Sequence, residues 1–217
     1  MKRNIVAFFI IALGFIAIIP NNTFGQSGFK AGIIMSDFRG DDWDKAKSAL
    51  DSLGISTETN NGFTGGFFTY TSFSPNFGLL TELLYTQKGV VIKGNDVLLN
   101  KDVEVVTSLH YIEFPISLKL SFPVAPEFNP YLYAGPYASY LILATEKKTD
   151  SDTQEVEGFK KFEYGISAGG GISFGLGGTE LFIDVRYIMG LADIIDIEGA
   201  EIDQKNKGLS LTAGLAF

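Results

Sequence analysis

The 217 residues carry 25 glycines, 13% aromatic side chains, only 19% charged ones and no cysteine, with a formal net charge of −8. The absence of Cys excludes thiol catalysis, Cys-based zinc sites, disulfides and a lipid-anchored N-terminal Cys, and the negative balance argues against nucleic acid as a partner. Glycine well above its usual share of about 7%, joined to many Phe and Tyr, predicts an all-β chain with many tight turns.

Met1-Lys2-Arg3-Asn4 is a basic start, and Ile5 to Ile19 is an unbroken apolar run, short of the roughly 20 residues a helix needs to cross a bilayer. Pro20 breaks the run, and Thr23 and Gly25 supply the small residues that a signal peptidase requires. Residues 1–25 are expected to be a signal peptide for Sec export, cut between Gly25 and Gln26, leaving 26–217 as a single barrel domain. An uncleaved N-terminal anchor is the alternative.

Beyond the leader, segments alternate with the period of two that a strand imposes. Strands are predicted over 28–36, 62–72, 77–86, 110–120, 130–144, 162–173, 180–189 and 208–217. In the first, Lys30 falls on the face opposite Phe29, Ala31 and Ile33. Between the first two, Asp41 to Gly54 begins with acids, places Trp43, Ala46, Ala49, Leu50 and Leu53 at helical spacing, and ends on glycine. That pattern predicts a short amphipathic helix folded onto a barrel mouth, with a partner-binding helix as the alternative. The segment 130–144 is apolar on both sides, so its faces stay unassigned. In the last segment Leu209, Leu211, Ala213, Leu215 and Phe217 oppose Gly208, Ser210, Thr212, Gly214 and Ala216.

The connections alternate between short (73–76, 122–129, 175–178) and long, polar ones (37–61, 89–104, 145–160, 190–207). An antiparallel up-and-down barrel with both termini at one end collects all four long loops at the other. The non-apolar faces hold Glu82, Glu113, Lys119, Glu163, Glu180, Asp184 and Arg186 among Gly and Ser, which suits the interior of an eight-stranded barrel. Aromatic residues gather at both strand ends: Phe77, Phe122, Phe128, Tyr131, Phe174 and Phe217 at one, Tyr85, Phe162, Tyr164 and Tyr187 at the other. Two such belts match the interfacial girdles of a membrane barrel. The expected fold is an all-β, eight-stranded antiparallel up-and-down transmembrane β-barrel with short periplasmic turns and four longer surface loops. A soluble sandwich with ordinary core aromatics is the rival. Five acids then meet three bases, Lys30, Lys119 and Arg186, in a lumen that eight strands barely open, so the charges must pair.

The stretches Glu82 to Gly89, Tyr111 to Ile116, Pro130 to Pro136, Tyr164 to Gly171 and Gly208 to Phe217 resemble the outer-membrane β-barrel family of Bacteroidetes, the porin-family or PorT-like barrels. The resemblance covers nearly the whole chain after the leader. It implies residence in the outer membrane, contact with lipid and lipopolysaccharide, and insertion by the barrel-assembly machinery, for which Phe217 is similar to the C-terminal aromatic signal. One branch of the family implies an accessory role in protein secretion.

No catalytic constellation is present. His110 is the only histidine and sits in the apolar register of its strand, and no Gly-x-Ser-x-Gly elbow exists. Gly169-Gly170-Gly171 and Gly175-Leu176-Gly177-Gly178 lack the lysine and the strand-to-helix setting of a phosphate loop. Asp193, Asp196, Glu198, Glu201 and Asp203 are closely spaced but lack the ligand order of an EF-hand, so solvated loops are expected, with no metal and no cofactor. Three functional classes stay open for a non-enzymatic barrel: a structural or surface-interaction protein of the envelope, a PorT-like accessory of secretion or envelope assembly, and a small pore.

Overall fold

Segments with one apolar face and one small or polar face bury the second only if their sheet curls up on it. In the computed structural model, which describes residues 25–96, 101–125 and 127–217, the sheet closes completely. The strands are β1 (Gly25–Arg39), β2 (Ser56–Ser74), β3 (Phe77–Asp96), β4 (Lys101–Ser121), β5 (Phe128–Lys148), the two-residue β6 (Gln154–Glu155), β7 (Phe162–Leu176), β8 (Thr179–Gly190) and β9 (Lys205–Ala216). One helix, α1 (Asp41–Ser52), follows β1. Eight long strands pair antiparallel around a ring in the order β1-β2-β3-β4-β5-β7-β8-β9, and β9 returns to β1. The seam runs from Arg39↔Lys205 to Gly28↔Ala216 and ends with Ser27 and Phe217 exchanging backbone hydrogen bonds of 3.1 and 2.9 Å. Residues through 24, where the leader is expected, lie outside the described residues, while Gly25 and Gln26 open β1.

Phe67, Ile33 and Leu211 on the outer wall are 68, 57 and 48% exposed, whereas Ser210, beside Leu211 in sequence, is 3% exposed and faces inward. Short connections join β2 to β3 through Pro75-Asn76 and β7 to β8 through Gly177-Gly178. Both glycines have positive φ, 58° and 100°, which two-residue hairpins of this hand require.

The segment 89–104, expected as a loop, is mostly strand: β3 runs on to Asp96 and β4 starts at Lys101. Val91 and Ile92 on β3 oppose Val106 and Val105 on β4, and β-branched residues favour a pleated surface. The charges that made the stretch look loop-like are cross-strand partners, with Lys93 lying 2.7 Å from Glu58 and 3.6 Å from Glu104. The Glu58 hydrogen bond raises the pKa of the exposed Lys93 amine above its ordinary value. Likewise β2 begins at Ser56 and β5 continues to Lys148, so β2–β5 form a wall that stands taller than β7–β9.

Helix α1 carries Asp41, Asp42 and Asp44 in its first turn, where the helix dipole favours anions, and Gly54 follows its end at φ 75°. Its Trp43 is buried and meets Phe38 edge-on at 5.2 Å, so the helix folds back over the mouth. Arginine at position 211 would place a guanidinium in the apolar belt, and Leu211→Arg should destabilise the lipid-embedded barrel by roughly 2–4 kcal/mol if the position is near the midplane. Ser210→Arg should instead block folding by overfilling the interior. Urea titration of both variants refolded into vesicles measures the difference, and a harmless Leu211→Arg would reverse the face assignment.

Candidate functional site

The interior is filled in layers, each built by side chains from strands far apart in sequence. Nearest the short turns, Phe68, Leu80, Tyr131, Tyr133, Phe182 and Ala216 form an apolar collar. Lys119 enters there without a carboxylate in ion-pair range among the described residues, and lies over the rings of Tyr131 at 4.0 Å and Tyr70 at 4.7 Å. Glu180 stands at the same mouth and accepts a 3.0 Å hydrogen bond from Gln26 Nε2. The space left between these residues is about 20 Å³, enough for roughly one water.

The next layer is a closed circuit. Lys30 Nζ on β1 lies 2.9 Å from Glu82 on β3 and 3.2 Å from Asp184 on β8. Glu82 also binds the guanidinium of Arg186 on β8. Arg186 Nε donates to the Tyr133 hydroxyl at 3.2 Å, and that hydroxyl donates to Asp184 Oδ1 at 2.8 Å. Thr212 adds a 3.0 Å hydrogen bond to the same oxygen. Two carboxylates and two cations are thus each satisfied from more than one side.

A second cluster lies toward the long loops. Lys88 Nζ sits 2.9 Å from Glu113 and 3.3 Å from Glu163, above the rings of Tyr137 at 4.7 Å and Tyr111 at 5.0 Å. Glu163 further accepts from the Tyr137 hydroxyl at 2.7 Å and from Asn206 Nδ2 at 2.9 Å, and Glu113 from Ser139 at 3.2 Å. Beyond it Phe38, Trp43, Val90, Leu109, Tyr111, Leu141, Ala144 and Ile194 make an apolar roof to which the loop residues Val156, Phe159 and Ile195 add.

Of the eight charged residues picked out by alternation, the structure brings Lys30, Glu82, Asp184 and Arg186 into the first cluster and Glu113 and Glu163 into the second, with Lys119 and Glu180 at the mouth. Sequence reasoning missed Lys88, which continues the inward register of Glu82, Leu84 and Thr86 past the point where that strand was ended. It also missed the tyrosines of β5. Tyr131 was expected in the aromatic belt but is 4% exposed inside the barrel, and Tyr133 and Tyr137 follow it inward. Each stands opposite a glycine of β7, as Tyr131↔Gly171, Tyr133↔Gly169 and Tyr137↔Gly165. A Cβ at those glycines would lie 2.6–2.7 Å from the facing tyrosine. The ring therefore occupies the place of the missing side chain.

His110 faces outward, 2.6 Å from the Tyr85 hydroxyl through Nδ1. Among the described residues no group of three His, Asp or Glu side chains has metal-holding geometry. The acidic loops are used on each other instead: Asp203 accepts from the Asp41 amide and Asp42 from the Asp203 amide, both at 2.9 Å, and Lys205 binds Asp193 and Asp203.

An antiparallel ring with an apolar outer wall and a charged, filled interior is the architecture of small outer-membrane barrels. The family model of the outer membrane protein beta-barrel domain matches residues 24–196. The chain belongs to this family. It is an outer-membrane β-barrel protein. Among solved structures the chain is similar to Neisserial surface protein A, with 13% identity, a TM-score of 0.50, and coverage of 88% of this chain and 95% of that one. It is also similar to OprG of Pseudomonas aeruginosa (14% identity, TM-score 0.49, 89% of this chain and 95% of that one) and to Ail of Yersinia pestis (13%, 0.43, 89% and 99%). At these identities the likeness is one of fold. No curated protein matches the chain by sequence.

Removing a cation from either buried cluster leaves carboxylate charge there uncompensated, which costs roughly 3–5 kcal/mol. Arg186→Ala and Lys88→Met should each lower stability by about that amount, whereas Lys119→Ala, which loses only ring contacts, should cost about 0.5–2 kcal/mol. Equilibrium unfolding in detergent gives the ranking, and an Arg186→Ala barrel as stable as Lys119→Ala would show that the circuit carries no weight.

Proposed function

We propose that the protein is a non-enzymatic surface-interaction protein of the cell envelope that acts through its long-loop end and does not conduct ions. The observation that carries this reading is a lumen filled along its length, by two clusters of paired charges and then by an apolar roof built from α1 and the loops after β5 and β8. The tall wall of β2–β5 and the roofed loops present structured surface on that side. The small-pore reading requires a path that these side chains occupy.

The apolar run at Ile5–Ile19 and the small residues at Thr23 and Gly25 support a leader removed by signal peptidase after Sec transport. Insertion from the periplasmic side keeps the short turns there, which supports the long loops as the outward end. Gly25 pairs with Thr71 and Gln26 with Tyr70, so the bond to be cut lies inside a strand and must be cut before the barrel closes. The exposure of Phe217 at the end of the seam beside Phe29 supports its reading as an aromatic signal for the insertion machinery. The finer resemblance, to PorT-like barrels of Bacteroidetes, rests on the strand motifs and predicts a defined secretion or assembly partner.

Planar-bilayer recording of the refolded protein should show no sustained current, and a reproducible single-channel conductance would replace this reading with the pore. In-cell cross-linking from the loop end separates the rest: recovery of one stoichiometric envelope complex favours the accessory role, and contacts with lipopolysaccharide or external ligands favour the surface role. Intact mass of membrane-extracted protein should correspond to a chain beginning at Gln26, and retention of residues 1–25 would overturn the proposed export route.

A further inference from the structure

The two clusters inside the barrel differ in their balance of charge. The circuit sets two carboxylates, Glu82 and Asp184, against two cations, Lys30 and Arg186. The cluster nearer the long loops sets two carboxylates, Glu113 and Glu163, against Lys88 alone, and none of these three residues is more than 1% exposed. The side chains around them are neutral: Tyr111 on β4, Tyr137 and Ser139 on β5, and Asn206 on β9. Ile34 of β1 and Ile188 of β8 pack on Tyr137, and Thr64 of β2 is bonded to Thr86. Asp37, the other buried carboxylate toward the long loops, has Lys207 at 3.3 Å and supplies no cation. With both carboxylates ionised, one negative charge would stand unopposed in a closed space, which is costly.

We propose that the Lys88 cluster binds one proton, carried by Glu113, and that its loss loosens the roof at the long-loop end. Both oxygens of Glu163 already accept hydrogen bonds, Oε1 from the Tyr137 hydroxyl at 2.7 Å and Oε2 from Asn206 Nδ2 at 2.9 Å, with Lys88 Nζ at 3.3 and 3.5 Å. A hydrogen on either would face a donor. Glu113 meets Lys88 at 2.9 Å and Ser139 at 3.2 Å through the same oxygen, Oε2, so Oε1 is the position that can carry the hydrogen. Asn206 Oδ1, in the same layer, is a buried acceptor with no hydrogen-bond partner among the described residues, so the layer is short of a donor as well as of positive charge. Tyr111 ties this layer to the roof, since it accepts from Asn206 at 3.2 Å and packs in the same cluster as Phe38, Trp43 and Ile194. A charge released here lies directly beneath them. The folded chain holds this proton and the unfolded chain does not, so stability falls as the pH rises while the proton is bound and levels off once it has left.

The test uses the full barrel refolded in detergent. Infrared spectra at neutral pH should show the C=O stretch of a protonated carboxyl, absent from Glu113→Gln and kept in Glu180→Gln, whose change lies at the opposite mouth. In urea titrations between about pH 5.5 and about pH 7.5, the wild-type unfolding constant should rise about tenfold per pH unit relative to that of Glu113→Gln. Trp43, the only tryptophan, reports on the roof: acrylamide should quench it more at alkaline than at neutral pH in the wild type, and equally at both in Glu113→Gln. A wild-type spectrum without the carboxyl band would overturn the proposal whether or not the variant folds. So would a band that survives in Glu113→Gln, which would place the proton on another group, or a difference in stability between the two proteins that does not change with pH. The same pH response of Trp43 in both would overturn the link to the roof.

Discussion

A ring of eight strands encloses a space that side chains alone can fill, and every group pointing inward loses most of its water. That constraint governs the rest of the molecule. The outer wall must be apolar because it meets hydrocarbon, so the inner wall must differ from it if the strands are to choose a face at all; a chain apolar on both sides would leave that choice degenerate. Charge supplies the difference and creates a debt, since an unpaired buried ion is costly. The circuit Lys30–Glu82–Arg186–Tyr133–Asp184 settles it by crossing the barrel, drawing on β1, β3, β5 and β8 at once. A one-residue slip in any of these strands would carry its member of the circuit to the lipid side.

Size is the second consequence. Long side chains from opposite walls compete for one axis, and the chain resolves the competition by pairing the tyrosines of β5 with the glycines of β7. Tyr133 and Tyr137 then reach the two clusters with their hydroxyls, while their rings provide the faces over which Arg186 and Lys88 sit, at 4.8 and 4.7 Å. The same residues therefore fill volume, donate hydrogen bonds and soften the desolvation of the cations. Glycine in β7 is thus a packing device, which accounts for a Gly169-Gly170-Gly171 run that has none of the surroundings of a phosphate loop.

Alternation made the ring legible in the sequence wherever the two faces differ in polarity, as in β8 and β9, and the exchange of long and short connections pointed to the topology even though the one expected over 89–104 is mostly strand. It failed where polarity stops tracking the face. In β5, tyrosines line the lumen while Leu132 and Ile142 face lipid, and both sets read as apolar. In the β3–β4 hairpin, Lys93 and Glu104 lie on an exposed strand surface outside the membrane, where charge is compatible with strand. Lys88 was lost at that transition, although it is buried as deeply as Glu113. The partners of each charge were not readable, because pairing joins residues such as Glu82 and Arg186 that lie 104 positions apart, and register around a closed ring sets which inward residues share a level.

The two ends of the barrel solve the same problem differently. At the long-loop end the interior rises into an apolar roof, and Trp43, Ile194 and Phe159 are brought to it by three separate loop segments. Two of those segments are joined by carboxylate–amide contacts, Asp203 accepting from the Asp41 amide and Asp42 from the Asp203 amide. At the short-turn end the described residues form no such roof, and Lys119 rests on the faces of Tyr131 and Tyr70 beside a space for about one water. A cation paired with a carboxylate needs no solvent, whereas one resting on rings keeps part of its hydration, so Lys119 can occupy only the mouth and not the middle. The dry, doubly paired ions therefore lie deep, and the interior is closed most firmly on the side that carries the structured loops.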